Sequence, residues 1–166
     1  MQITRRLWVC APTAKVWHIL AEEYANVSHW ARAVTRSEPM TSDVTLPGTT
    51  VGGRVCTASI GAVTETIKEY DAAAHVLSYD AQAKSMPFFV RKLSGRWMLD
   101  SDLDKTEVRL AFDADIMPPF NLLMGWAIRR PFQPAIDKTL ADLPLFAATG
   151  KLHPSKSFAP VHSTGD

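Results

Sequence analysis

Two side chains near the middle of this chain have types and neighbours that could support chemistry. Val63, Glu65 and Ile67 alternate with Thr64, Thr66 and Lys68. In a strand that alternation puts Glu65 on the apolar, core-directed face. A carboxylate taken out of water must be paired, hydrogen-bonded or protonated. Such a group can anchor a ligand hydroxyl or carbonyl, or serve as a general acid or base. A Glu at a strand end that reaches solvent or a surface cation would do neither. Arg91 is the natural partner, because Phe89, Arg91, Leu93, Gly95, Trp97 and Leu99 share one face. Turned inward, Arg91 would pair with Glu65 or meet a ligand carboxylate. A bulge near Pro87 would flip the parity and return Arg91 to water.

Around them stand candidates for the wall of an apolar site: the aromatics Trp30, Tyr79, Trp97, Phe112 and Trp126, with Met117, Leu123 and Met124. Large aromatic and methionine side chains suit an adaptable pocket, and equally suit a plain core. Other constellations do not form. Gly48, Gly52 and Gly53 lack GxGxxG spacing and no helix follows them, so they read as turn and bulge. The five histidines are scattered, with no HExxH and no Cys/His quartet, so no metal site is expected. No serine or cysteine stands in a nucleophile setting, and no cofactor is implied. Glu107, Arg109, Asp113 and Asp115 alternate with Val108, Leu110, Phe112 and Ala114, which is the pattern of a solvated outer strand face.

The elements that must position these residues follow from the hydrophobic period. Residues 2–9 read as a strand. Ala11-Pro12-Thr13 opens a helix, with Pro suited to the first turn and Thr13 to capping, and Val16, Trp17, Leu20 and Tyr24 face the core. A shorter helical piece covers 24–30. From 33 to 116 the period is two, with strands at 34–38, 51–60, 63–70, 75–82, 89–99 and 106–116 joined by short turns. Short turns make the sheet antiparallel and exclude a doubly wound parallel fold, which needs helical crossovers. After Pro118-Pro119 the helical period returns through Phe120, Leu123, Met124, Ala127 and Ile128, then Ile136, Leu140, Leu143 and Ala147. Pro131 and Pro134 predict a kink or a split in that helix. Residues 1–150 therefore form one domain, and the Pro/Ser-rich stretch 151–166 reads as a disordered tail.

Composition bounds the function. A chain of 166 residues buries enough surface to need no staple. Eighteen Lys+Arg against seventeen Asp+Glu leave a formal charge of +1, too little for a nucleic-acid-binding field. Two cysteines without a CxxC pair fit a reduced, cytoplasmic protein with both thiols buried. The longest apolar stretch, 117–128, is shorter than the ~20 residues of a membrane span. A homodimer is compatible with all of this.

The order strand, two helices, six strands and a long closing helix resembles the START-like or SRPBCC superfamily, in its polyketide cyclase/dehydrase-like branch. The residues that carry the resemblance are Ala11-Pro12-Thr13-Ala14-Lys15-Val16-Trp17, Asn26-Val27-Ser28-His29-Trp30, Gly48-Thr-Thr-Val51-Gly52-Gly53, Glu65-Thr-Ile-Lys-Glu-Tyr-Asp71, Leu77-Ser-Tyr79 and Gly95-Arg-Trp97. The resemblance implies an α+β helix-grip fold, β-α-α-β6-α, in which a seven-stranded antiparallel sheet curves around a long C-terminal helix and encloses a cavity. It also implies that an acidic residue at the place of Glu65 lines that cavity. Where relatives often carry a His-Pro-like pair after the tryptophan, this chain has Ala31-Arg32.

Three functions are then expected to compete. One is binding or carriage of a small hydrophobic ligand such as a lipid, a polyketide or an isoprenoid-like molecule. Another is an aromatase/cyclase or dehydratase using Glu65 as acid/base with Arg91 as electrostatic support. The last is a co-chaperone-like interaction module, which requires a filled interior and an exposed apolar patch.

Overall fold

Period-two segments joined by tight turns have little choice but to pair with their neighbours, and the seven strands do so in sequence. The computed structural model describes residues 1–40, 45–58 and 61–156, leaving the side chains of 121–129 and 131–132 outside the description. Strand β1 (Gln2–Val9) leads into α1 (Thr13–Trp17), a π-helical turn (His18–Glu22) and a 3-10 segment (Tyr24–His29). Then come β2 (Val34–Pro39), β3 (Gly53–Ala58), β4 (Gly61–Asp71), β5 (Val76–Ala83), β6 (Val90–Asp102), β7 (Lys105–Ile116) and α2 (Phe120–Thr149). One antiparallel sheet runs in the order β1-β7-β6-β5-β4-β3-β2. Every pair but β1–β7 joins strands consecutive in the chain, and β1–β7 brings the two ends together. The result is the expected curved seven-stranded sheet with a C-terminal helix.

The sheet's inner face follows the alternation read from sequence. In β7, Val108, Leu110, Phe112, Ala114 and Ile116 are buried, while Asp113 and Asp115 face solvent. Val16, Trp17, Leu20 and Tyr24 deliver their stripe to the core as expected, and α2 adds Leu140, Leu143 and Ala147.

Three local expectations are corrected. Thr13 does not cap α1: Pro12 holds the N-cap position, and the Thr13 hydroxyl lies 3.1 Å from that of Thr106. Burial against β7 gives that hydroxyl a partner inside the protein. Helix α2 does not split at Pro131 and Pro134 but runs as one 30-residue segment, because each proline removes only one donor from a long ladder. It stops at Gly150, whose φ of +68° and N–H bond to the Phe146 carbonyl make a left-handed cap. The stretch after it is not free at its start. Pro154–Lys156 forms a 3-10 turn, the Arg32 Nη1 donates to the His153 ring at 2.9 Å, and Lys156 Nζ donates to the carbonyls of Ala31 and Val34. Residues 157–166 lie outside the described residues.

Candidate functional site

The β3–β4 hairpin builds the polar end of the site. Its register places Arg54 opposite Glu65 and Cys56 opposite Val63. Arg54 Nε donates to Glu65 Oε2 at 2.7 Å, and its Nη1 donates to the Tyr24 backbone carbonyl at 2.8 Å. The Tyr24 hydroxyl donates to the same Glu65 Oε2 at 2.7 Å, while the Arg54 guanidinium sits 4.0 Å above the Tyr24 ring. The Arg54 and Glu65 side chains are only 10% and 13% exposed, so this is an internal ion pair, not a surface one.

Two glycines make the packing feasible. A Cβ on Gly53 would stand 2.1 Å from the Glu65 carbonyl oxygen, so only glycine admits β3 this close to β4. A Cβ on Gly95 would stand 2.3 Å from the Tyr79 ring, which lies across β6 at that point.

Burial and charge then act together on the titrating groups. Burial works against the Arg54 charge, and the Glu65 carboxylate, followed by Tyr24, more than offsets it, so the guanidinium is held protonated. Burial, reinforced by Glu65, pushes the Tyr24 and Tyr79 phenols well above their ordinary range. Burial also raises the Cys56 thiol to about 11, against the opposing pull of Arg54. A carboxylate, a fixed cation and neutral phenols thus meet in one place.

Next to them lies a cavity of about 130 Å³. One water needs only ~10–15 Å³, so the space is several times that of a single water. From the sheet Glu65, Tyr79, Leu93, Trp97 and Phe112 line it; from α2 come Ala135, Ile136 and Thr139. Ala33, Ala58 and Ala135 also line an adjoining surface depression, which touches Arg32, Thr35, Lys138 and Ser155.

Glu65, Tyr79, Trp97 and Phe112 are therefore brought to one wall. Other expected site residues are not. Arg91 is exposed at a register shift between Val90 and Lys92, where an extra residue in β6 turns the side chain out. Trp30 is buried but stacks on Phe146 with ring centroids 6.5 Å apart, away from the cavity lining. Met117 is half-buried and ties its backbone N–H to the Phe89 carbonyl, also outside the lining. The side chains of Leu123, Met124 and Trp126 lie outside the described residues. Arg54 is the residue that sequence reasoning missed. Cys56, read from sequence as buried, shares its strand parity, and that signal was sufficient to turn Arg54 inward as well.

An antiparallel sheet gripping a terminal helix, with a lined hollow between, defines a helix-grip protein with an internal cavity. The family model described as polyketide cyclase/dehydrase and lipid transport matches residues 2–144, and the chain belongs to that family. A comparison with curated proteins gives no match. Among solved structures, a START superfamily protein from Mycobacterium smegmatis is similar at 10% identity and a TM-score of 0.68, covering 90% of this chain and 99% of that one. The di-domain ARO/CYC BexL is similar at 19% identity and a TM-score of 0.68, covering 87% of this chain and 45% of that one. The Zhui aromatase/cyclase from a Streptomyces species is similar at 16% identity and a TM-score of 0.63, covering 92% and 99%. These likenesses establish the fold. Among the described residues no helix is long and apolar enough to cross a membrane.

Proposed function

We propose that the protein binds a small hydrophobic molecule in this cavity and orients it by a hydrogen-bonding group set against Arg54 and Glu65, with Tyr24 holding Glu65 from behind. The observation that carries this reading is the apolar hollow with a polar cluster confined to one part of its wall. Such a layout takes binding free energy from apolar contact and orientation from a few fixed polar groups. Family membership supports it, since lipid transport is part of the family's description. An interaction module built around a filled interior has less support from this geometry.

The test is a fluorescence titration with the neutral probe N-phenyl-1-naphthylamine. Saturable, blue-shifted emission is expected from the wild type. Ala81 lines the cavity and is 4% exposed, so Ala81→Phe projects a ring into the space and should abolish the signal. Circular dichroism establishes that the variant is folded. Absence of saturable binding, or a folded Ala81→Phe that binds unchanged, rejects the proposal.

Catalysis is a second reading, favoured by the convergence of carboxylate, guanidinium and phenol on one wall. In an aldol cyclisation Glu65 would take an α-proton from a poly-β-ketone and the resulting enolate carbon would attack a ketone. Arg54, in place of the expected Arg91, would face the alkoxide that forms. Glu65→Gln should then stop turnover of a poly-β-ketone while leaving probe binding intact; an unchanged rate rejects this second reading.

A further inference from the structure

The cavity's mouth is unlike its interior. Its rim is made by the linker before β2, the end of β3, the middle of α2 and the segment after Gly150. Arg32, Lys138 and Ser155 line it, and Lys156 is fixed to the same rim by the carbonyls of Ala31 and Val34. Among the described residues, the acids carried by these elements and by β2 are already engaged. Asp142 of α2 is 1% exposed and lies 3.3 Å from Arg32 Nε while accepting the Arg32 backbone N–H. Asp137, also on α2, pairs with Arg5 at 2.8 Å, and Glu38 of β2 pairs with Arg36. Asp142 therefore stands against both Arg32 and Lys156, one carboxylate for two cations, and among the described residues no ion pair engages Lys138. His153, bonded to Arg32, contributes no negative charge.

A cationic mouth opening on an apolar hollow matches one kind of molecule in both charge and polarity. We infer that the ligand is an anionic amphiphile, whose carboxylate or phosphate head lies among Arg32, Lys138 and Ser155 at the mouth and whose apolar body fills the cavity. The geometry lets Arg32 serve such a head. Its Nε and the facing Asp142 Oδ1 are buried without a hydrogen-bond partner, so charge holds them together without a directional bond. Lys138 on an exposed helix face supplies an ammonium, and the Ser155 hydroxyl, 2.7 Å from His153 Nδ1, lies at the same rim. This inference rests on the binding function proposed above, because without an occupied cavity the mouth has nothing to hold.

Competition against bound N-phenyl-1-naphthylamine separates the two ideas. Decanol reports on the cavity alone, while decanoate and decyl phosphate report on cavity and mouth together. At neutral pH and low ionic strength the anions should displace the probe at about tenfold lower concentration than decanol, as one charge-assisted contact provides. Added salt should shrink the difference. Lys138→Glu should remove the anions' advantage with decanol unchanged, and Lys138→Arg should retain it. An advantage for only one of the two anions supports the inference and assigns the head group. Equal competition by all three, or an anion preference that survives Lys138→Glu, overturns the inference while leaving the cavity function standing. If not even decanol displaces the probe, both fall together.

Discussion

Two arginine–carboxylate pairs, one at the cavity and one at the surface depression beside it, are built in opposite ways. Arg54 and Glu65 face each other across adjacent strands, eleven residues apart, joined by a 2.7 Å hydrogen bond. Arg32 and Asp142 are 110 residues apart, brought together only by the docking of α2 against the linker before β2. Asp142 Oδ2 accepts the Arg32 backbone N–H at 2.7 Å, but its Oδ1 and the guanidinium Nε stand 3.3 Å apart without a hydrogen bond. The ladder fixes the first pair before any side chain chooses a rotamer. The second is held through the backbone, and its guanidinium donates its hydrogen bond to the His153 ring instead of to the carboxylate it faces. Rigid recognition belongs at the inner pair and adaptable recognition at the mouth.

The largest effect should come from breaking the inner pair. Glu65→Ala leaves a buried guanidinium without its carboxylate and the Tyr24 hydroxyl without its acceptor. A loss of about 3–5 kcal/mol is expected in denaturant unfolding. Replacing both partners, Arg54→Met with Glu65→Leu, should recover most of that loss, since well-packed apolar side chains can replace a buried pair. A double variant as unstable as the single would show that the pair's role is structural and that this wall tolerates no apolar substitute.

Removing the outer carboxylate should cost less. Asp142→Ala leaves the Arg32 backbone N–H without its acceptor, for about 1–3 kcal/mol. Asp142→Asn keeps an oxygen for that N–H and should restore most of the stability. If Asn proves as damaging as Ala, the charge on Asp142 governs the mouth and the contrast between the two pairs disappears.

Tyr24 lies on the inner side of the comparison. Tyr24→Phe removes one hydrogen bond to Glu65, for about 1 kcal/mol. Its phenol pKa is raised in the folded state above the ordinary 10.0 by burial first and Glu65 second. The folded chain therefore holds that proton more tightly than the unfolded chain does. The contribution is fully present below pH 10.0 and is lost as pH climbs toward the folded value. Wild type should lose stability above that point, and Tyr24→Phe should lose less. Parallel pH profiles would reject the mechanism.

Much of this was legible in the residues. The switch from helical period to period two and back fixes the element order, and Val63-Thr-Glu65-Thr-Ile67 turns Glu65 inward without any tertiary information. Arg54 was legible but unread, since Cys56 two residues later carried its parity. Arg91 illustrates a different failure. Parity fails across a bulge, and the one inserted residue between Val90 and Lys92 is set by how β6 meets β7, not by local propensity. The mouth lay further out of reach. No local pattern ties Arg32 to Asp142, or Lys156 to Ala31, because those contacts exist only after α2 and the residues beyond it have docked.

The smallest effect reads the inner pair without unfolding anything. Cys56 lines the cavity two residues from Arg54, with its thiol raised to about 11, while Cys10 is exposed. Only thiolate reacts with an alkylating reagent, so at neutral pH Cys10 should label quickly and Cys56 slowly. Burial sets most of that delay, but Glu65 raises the thiol and Arg54 lowers it. Glu65→Gln removes the raising charge and keeps the lowering one, so Cys56 should label several-fold faster in a folded variant. Asp142→Asn, at the other pair, should leave the Cys56 rate where it was. Mass spectrometry of the separate cysteine peptides gives both rates at once. Equal acceleration in the two variants would mean that Cys56 reports breathing of the whole domain, and that the two ends of the cavity are not electrostatically distinct.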